Sequence, residues 1–181
     1  MAKLLICSDI HGDADTAKKV LDAFDKSGAE RLVILGDILY HGPRNDLPAG
    51  YAPKRVIELL NPYKDKILAV RGNCDAEVDQ MVLNFPILAD YAYIEVDGLR
   101  IFATHGHTHN KDTAKLGKGE ILLHGHTHVP CVVPFGDENY YINPGSTSIP
   151  KEGSEKGYIL YENREFSFVT LDGEIYNSVK L

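Results

Sequence analysis

Five short apolar runs give the chain its rhythm: KLLIC, RLVIL, KILAV, RIFAT and EILLH. Runs of this length, rich in Val, Ile and Leu and cut by Gly or Asp, predict buried strands. Between the early runs the period becomes helical. Ala14, Ala17, Val20, Leu21 and Phe24 share one helix face, and Gly28 suits its stop. The pattern predicts strands over residues 3–8, 31–35 and 66–70, and a helix over 13–27. A second helix is expected to start at Pro53, with Val56, Ile57 and Leu60 as its apolar face. A short third helix is expected over 76–83. Residues 38–51 hold two Gly, two Pro, Arg44 and Asn45. They read as an irregular loop long enough to carry function.

The period changes after Pro86. Residues 91–96 and 99–104, joined at Asp97-Gly98, predict a hairpin. Further strands are expected over 121–124, 129–135, 140–142, 157–161, 165–171 and 174–179, with turns at Gly136-Asp137, Glu162-Asn163 and Asp172-Gly173. The first half reads βαβαβα and the second mostly antiparallel β. Two sheets packed face to face with helices outside are the economical arrangement. No linker or low-complexity segment divides the 181 residues, so residues 1–181 read as a single domain.

Composition narrows the class of function. The net charge of −7 disfavours a long nucleic acid as partner, although a small anion at a locally positive site is allowed. Three scattered cysteines, Cys7, Cys74 and Cys131, do not make a disulfide framework and suit a reducing, cytoplasmic setting. The N-terminal run is broken at Asp9, so it reads as a first strand rather than a signal peptide. No apolar stretch approaches the ~20 residues of a membrane span.

Each of the five runs is followed by residues with metal-ligand chemistry. They are Asp9 and His11, Asp37, Asn73, His105, and His126 with His128. In open α/β sheets ligands bind outside the carboxyl ends of the strands, so five strands would deliver these groups to one edge. Oxygen donors mixed with imidazole suit Mn²⁺, Fe²⁺ or Zn²⁺ better than Ca²⁺. Asp37 has two carboxylate oxygens and can bridge two ions. Singly, each residue has a plainer reading: Asp9 as a cap-like residue, His11 in a loop, Gly36-Asp37 as a turn, Asn73 in a left-handed turn. The combination favours metal. The pentapeptide His-Gly-His-Thr-His occurs twice, at 105–109 and 124–128, and holds six of the eight histidines.

The series Asp9-x-His11, Gly36-Asp37, Gly72-Asn73-x-Asp75, His105-Gly106 and Gly125-His126-Thr127-His128 resembles the calcineurin-like metallophosphoesterase superfamily. The stretches LVILGDILYHGPRNDLPAGYAPKRV, AVRGNCDAEVDQM and INPGSTSIPK are similar to its YfcE-type bacterial phosphodiesterases. The resemblance implies an α/β fold, a four-layer αββα sandwich of two face-to-face mixed β-sheets flanked by helices. It implies two divalent metal ions, most often Mn, with Fe, Zn, Ni or Co as alternatives. Asp9, His11, Asp37 and His128 would hold one ion, and Asp37, Asn73, His105 and His126 the other. A hydroxide bridging them would attack a small phosphodiester.

Two further pairs carry expectations. His41 and Arg44, in the Gly-Pro loop, are candidates for substrate binding; Arg44 reads equally as a solvated loop charge. Cys74 and Asp75 occupy the positions where many relatives carry a leaving-group histidine and its orienting carboxylate. A thiol there puts proton donation in doubt and weighs against the alternative of a phosphomonoesterase. The other alternative, a non-enzymatic scaffold of this fold, is disfavoured because all seven ligand residues are present. A homo-oligomer is compatible with the sequence, and no membrane partner is expected.

Overall fold

In the computed structural model, which describes residues 2–181, alternation along the first strand builds two cores at once. Strand β1 is Lys3–Cys7. Its Leu5 and Cys7 face a cluster that includes Ala17, Val20 and Phe24, whereas Leu4 and Ile6 face a second cluster. Side chains on a strand point alternately to opposite faces, and a run apolar on both is stable only when both faces are covered. One covering layer is helical. Helix α1, Ala14–Ser27, buries Ala14, Ala17, Val20, Leu21 and Phe24 against this face. Asp13 caps it by accepting from the amides of Asp15 and Thr16, and Gly28 ends it in the left-handed conformation. Helix α2, Pro53–Leu60, adds Val56 and Leu60 to the same core.

The other covering layer is a second sheet. Strands β2 (Arg31–Ile34) and β3 (Ile67–Ala69) run parallel to β1. The hairpin is β4 (Tyr91–Val96) and β5 (Leu99–Thr104), followed by β6 (Ile121–Leu123). The chain continues through β7 (Cys131–Phe135), β8 (Asn139–Asn143), β9 (Gly157–Glu162), β10 (Glu165–Thr170) and β11 (Ile175–Lys180). The first sheet has the order β11-β10-β9-β1-β2-β3 and the second β4-β5-β6-β8-β7. Ile6 and Val33 of the first sheet meet Ile101, Leu123 and Ile142 of the second in a continuous apolar layer. Each sheet is mixed, with β1, β2 and β3 parallel in one and β5, β6 and β8 parallel in the other.

The expected elements are present with small shifts in their ends. The third helix is shorter than the expected 76–83 and covers Glu77–Gln80. Its continuation is lost because the Gln80 amide bonds the carbonyls of Leu83 and Phe85 and the amide of Ile87, turning the chain back. On the far side, the outer face of the second sheet presents Phe102, Leu122 and Tyr141. Ala114 and Leu116 of the loop after β5 cover it, and no helix lies there among the described residues. The two mixed sheets and the helical layer on the first are as expected, whereas a loop replaces the expected helices on the second.

Candidate metal centre

The loops after β1, β2, β3, β5 and β6 converge, bringing all seven expected ligand residues together. His128 Nε2 lies 3.2 Å from Asp9 Oδ1, and His11 Nε2 lies 3.6 Å from the same oxygen and 3.7 Å from Asp37 Oδ2. His105 Nε2 is 3.4 Å from Asp37 Oδ2 and 3.0 Å from Asn73 Oδ1, and His126 Nδ1 is 3.2 Å from His105 Nε2. Donors placed about 2.0–2.2 Å from one ion stand roughly 3–3.6 Å from each other in tetrahedral or octahedral arrangements. The donor spacings fall near that range. Asp37 touches both halves of the cluster, and Asp9 Oδ1 also approaches His105 Nε2 at 4.0 Å.

The hydrogen bonds behind the cluster fix which nitrogen faces inward. His11 Nδ1 donates to the carbonyl of Tyr40 at 2.7 Å, His105 Nδ1 to Leu35 at 2.6 Å, and His128 Nδ1 to Ile149 at 2.6 Å. With the proton held on Nδ1, each neutral ring turns a bare Nε2 lone pair toward its neighbours. His11 and His128 thus oppose two lone pairs at 3.3 Å. Asp9 Oδ1 is buried among them without a hydrogen-bond partner, while Oδ2 accepts from Ser8 Oγ at 2.6 Å and from the His126 amide at 3.0 Å. A buried carboxylate oxygen facing imidazole lone pairs is stable only with positive charge between them. The residues present therefore fit divalent metal.

The electrostatics of the cluster point the same way. Burial alone would raise the Asp9 carboxyl, but His11, His128 and His105 outweigh it and hold it well below the usual carboxylate range. Burial likewise opposes the His105 cation, yet its bond to Asp37 and the charges of Asp9 and Asp37 lift its pKa to about 9. The cluster gathers positive charge by any route open to it.

Backbone strain accompanies this geometry. Asp9, His11, Asp37, His126 and His128, five of the seven ligand residues, have φ between 48° and 66°. Such conformations are disfavoured for side chains with a Cβ, by about 1–3 kcal/mol each, and persist where the surroundings over-determine them. Asn73, the residue for which a left-handed turn was the plainer reading, is not among them. The surroundings are identifiable. Asp75 turns its carboxylate away from the cluster and accepts from the amides of Asp37 (2.8 Å), Ile38 (2.9 Å) and Gly72 (2.7 Å). Gly72 is required beside it, since a Cβ there would collide with the Asp37 carboxylate and amide. On the opposite side, Ser146 Oγ and Ser148 Oγ donate to the Asp9 carbonyl at 2.8 and 2.9 Å. The sequence reading gave these serines no role. Their signal was the Gly-Ser-Thr-Ser turn directly after a strand end.

A cleft of about 280 Å³ opens onto the cluster. Arg44, Asn73, Cys74, His126 and Lys151 are on its wall. Asn73 is exposed and His126 half-buried, so access is from their side. Cys74 donates its amide to Asp37 Oδ1 at 2.8 Å, and burial pushes its thiol up to about 12. His41 is not brought to the wall. Its ring stands edge-on between Tyr40 and Tyr51, and its carbonyl braces Asn45. His107 flanks His105 and His126, and His109 packs on Tyr91 and Phe102. His124 stacks on Tyr141 at 4.3 Å, and burial lowers its pKa to about 4. Among the described residues no helix is long and apolar enough to cross a membrane.

Comparison with known proteins identifies relatives over nearly the whole chain. The profile of the calcineurin-like phosphoesterase superfamily domain matches residues 2–165. The chain is 47% identical over 175 residues to Phosphodiesterase YfcE of Escherichia coli K12, covering 96% of this chain and 95% of that one. It is 27% identical over 183 residues to Phosphodiesterase MJ0936 of Methanocaldococcus jannaschii, covering 94% and 99%. The solved structure of YfcE, a phosphoesterase from E. coli, superposes with a TM-score of 0.94 at 46% identity, covering 98% of each chain.

The position of Asp75 yields a test. In Asp75→Asn one carboxylate oxygen becomes an NH₂ group facing backbone N–H donors. The substitution should cost about 1–3 kcal/mol in urea unfolding, as one or more buried amides lose their acceptor. It should also weaken metal retention through the relaxed Asp37 turn, measured by elemental analysis. Parent-like stability and metal content would leave Asp75 without this supporting role.

Proposed function

The chain belongs to the calcineurin-like phosphoesterase superfamily, and from that premise we propose that it is a metal-dependent phosphoric diester hydrolase acting on small phosphodiesters. The orphaned Asp9 Oδ1, ringed by imidazoles whose protons point away, is the observation that carries this reading. Asp9, His11, His128 and Asp37 would hold one divalent ion, and Asp37, Asn73, His105 and His126 the second, with manganese the ion that the family resemblance suggests first. When bound, the pair supplies a hydroxide nucleophile near neutral pH and charge to neutralise the phosphoryl oxygens.

The remaining work falls to residues of the chain. Asn73 and His126 stand where the cluster meets the cleft, so their placement sets the face from which phosphorus approaches. Arg44 presents a planar fork to the same cleft, suited to two phosphate oxygens. Cys74 places a neutral, weakly donating thiol on the wall. An activated diester needs little protonation of its leaving group, whereas an alkyl monoester needs more. This supports diesters over monoesters. Retention of all seven ligand residues, with three imidazoles held by backbone carbonyls, favours an enzyme over a non-enzymatic scaffold. Free thiols at Cys7, Cys74 and Cys131 support a reducing, cytoplasmic setting.

The function is tested by assaying the manganese-loaded and chelated protein on matched aryl mono- and diesters. Hydrolysis should require metal and favour the diester. Cys74→Ala should stay within about ten-fold of the parent on the diester, about 1.4 kcal/mol in barrier. Cys74→His should raise the monoester-to-diester ratio, since an imidazole donates a proton near neutral pH far better than a thiol. A metal-loaded parent inert toward every diester would reject the proposal.

Arg44→Ala should lower kcat/KM for the diester by roughly ten-fold or more while metal content stays at the parent level, as befits a charged contact of ~1.5–3 kcal/mol. Unchanged kinetics would make Arg44 a surface charge.

A further inference from the structure

Two cations stand on the wall of the cleft, yet a simple phosphodiester carries one negative charge. Arg44 comes from the loop after β2 and Lys151 from the turn after β8. Among the described residues neither takes part in an ion pair. Asp37 is the carboxylate on that wall, and its oxygens are engaged with His105, His11 and the Cys74 amide. On a chain of net charge −7, two unpaired cations sharing one cleft mark a place for anions.

Lys151 is placed by the backbone around it. Its amide donates to the His128 carbonyl at 3.2 Å, and His128 Nδ1 donates to the carbonyl of Ile149, two residues earlier. Ser154 closes the turn by donating its amide and hydroxyl to the Lys151 carbonyl, at 3.0 and 2.7 Å. The turn is thus strapped to a residue of the cluster, and the lysine stem starts from a fixed point beside it. Once Arg44 is assigned to the reacting phosphate, as proposed above, Lys151 is left over.

We propose that Lys151 receives a second anionic group of the substrate, so that the site selects phosphodiesters in which one ester arm ends in a phosphate or carboxylate. This rests on the diesterase reading and deepens it. Lys151 acts as a specificity-determining residue: its compact ammonium offers a point charge that accepts either anion, where Arg44 offers a fork shaped for one phosphate.

The test uses three phosphodiesters that share a methyl ester and differ in the end of the second arm, bound to the manganese-loaded protein by titration calorimetry at fixed salt: methyl propyl phosphate, methyl 2-carboxyethyl phosphate and methyl 3-phosphonooxypropyl phosphate. The parent should bind at least one of the two compounds with a charged arm about five-fold or more tightly than methyl propyl phosphate. Lys151→Met should abolish that preference and Lys151→Arg should keep it. The tighter of the two charged compounds identifies the second anion as carboxylate or phosphate. Equal affinity of the parent for all three compounds, or a preference that survives Lys151→Met, would overturn the proposal. Failure of the diesterase reading itself would show separately, as metal-loaded protein that hydrolyses no diester whatever its arms carry.

Discussion

Two carboxylates and four imidazoles meet in one small volume, with their lone pairs pointing inward, and the rest of the fold answers to that constraint. Uncompensated, Asp9 Oδ1 and the opposed nitrogens of His11 and His128 would be a desolvated concentration of negative potential. A cation resolves it. Three of the four imidazoles, His11, His105 and His128, have their second nitrogen held by a backbone carbonyl. The ring orientations are thereby set before any ion arrives, which is how a second layer of contacts tunes a metal site.

The sandwich makes this concentration possible. Parallel strands in both sheets end at a common edge, so donors from five loops arrive without long excursions of the chain. The chain leaves several of these strands in a left-handed conformation, bending sharply so that the side chain points into the cluster. That strain is held in place by the Asp75 carboxylate on one side and by Ser146 and Ser148 on the other. The two apolar layers, one under the helices and one between the sheets, keep the strand ends fixed while the loops carry the strain.

Much of this was legible from the chain. The apolar runs located the strands because both faces of β1 and β2 are buried, and the donors were visible because each follows such a run. What escaped were features set by tertiary contact. Nothing in the local sequence makes His126 or His128 adopt positive φ. Asp75 was expected to act beside Cys74, but its carboxylate faces three amides, a partnership across 37 and 38 residues that periodicity cannot reveal. His41 lay in the right loop, and the rings of Tyr40 and Tyr51 decided where it pointed. Gln80 ended a helix whose apolar spacing would have let it run on, and the loop after β5 took the place of a helix on the outer face of the second sheet. Lys151 carried no motif of its own, and only the turn strapped to His128 brings it to the cleft.

The central claim is that the two halves of the cluster form one centre joined at Asp37. Elemental analysis of the manganese-loaded parent and of Asp37→Ala, each shown to be folded by circular dichroism, tests it most directly. The account predicts two ions per chain in the parent and the loss of both in Asp37→Ala, since that carboxylate contacts the donors of each half. Two ions retained by Asp37→Ala, or none bound by the parent, would contradict it.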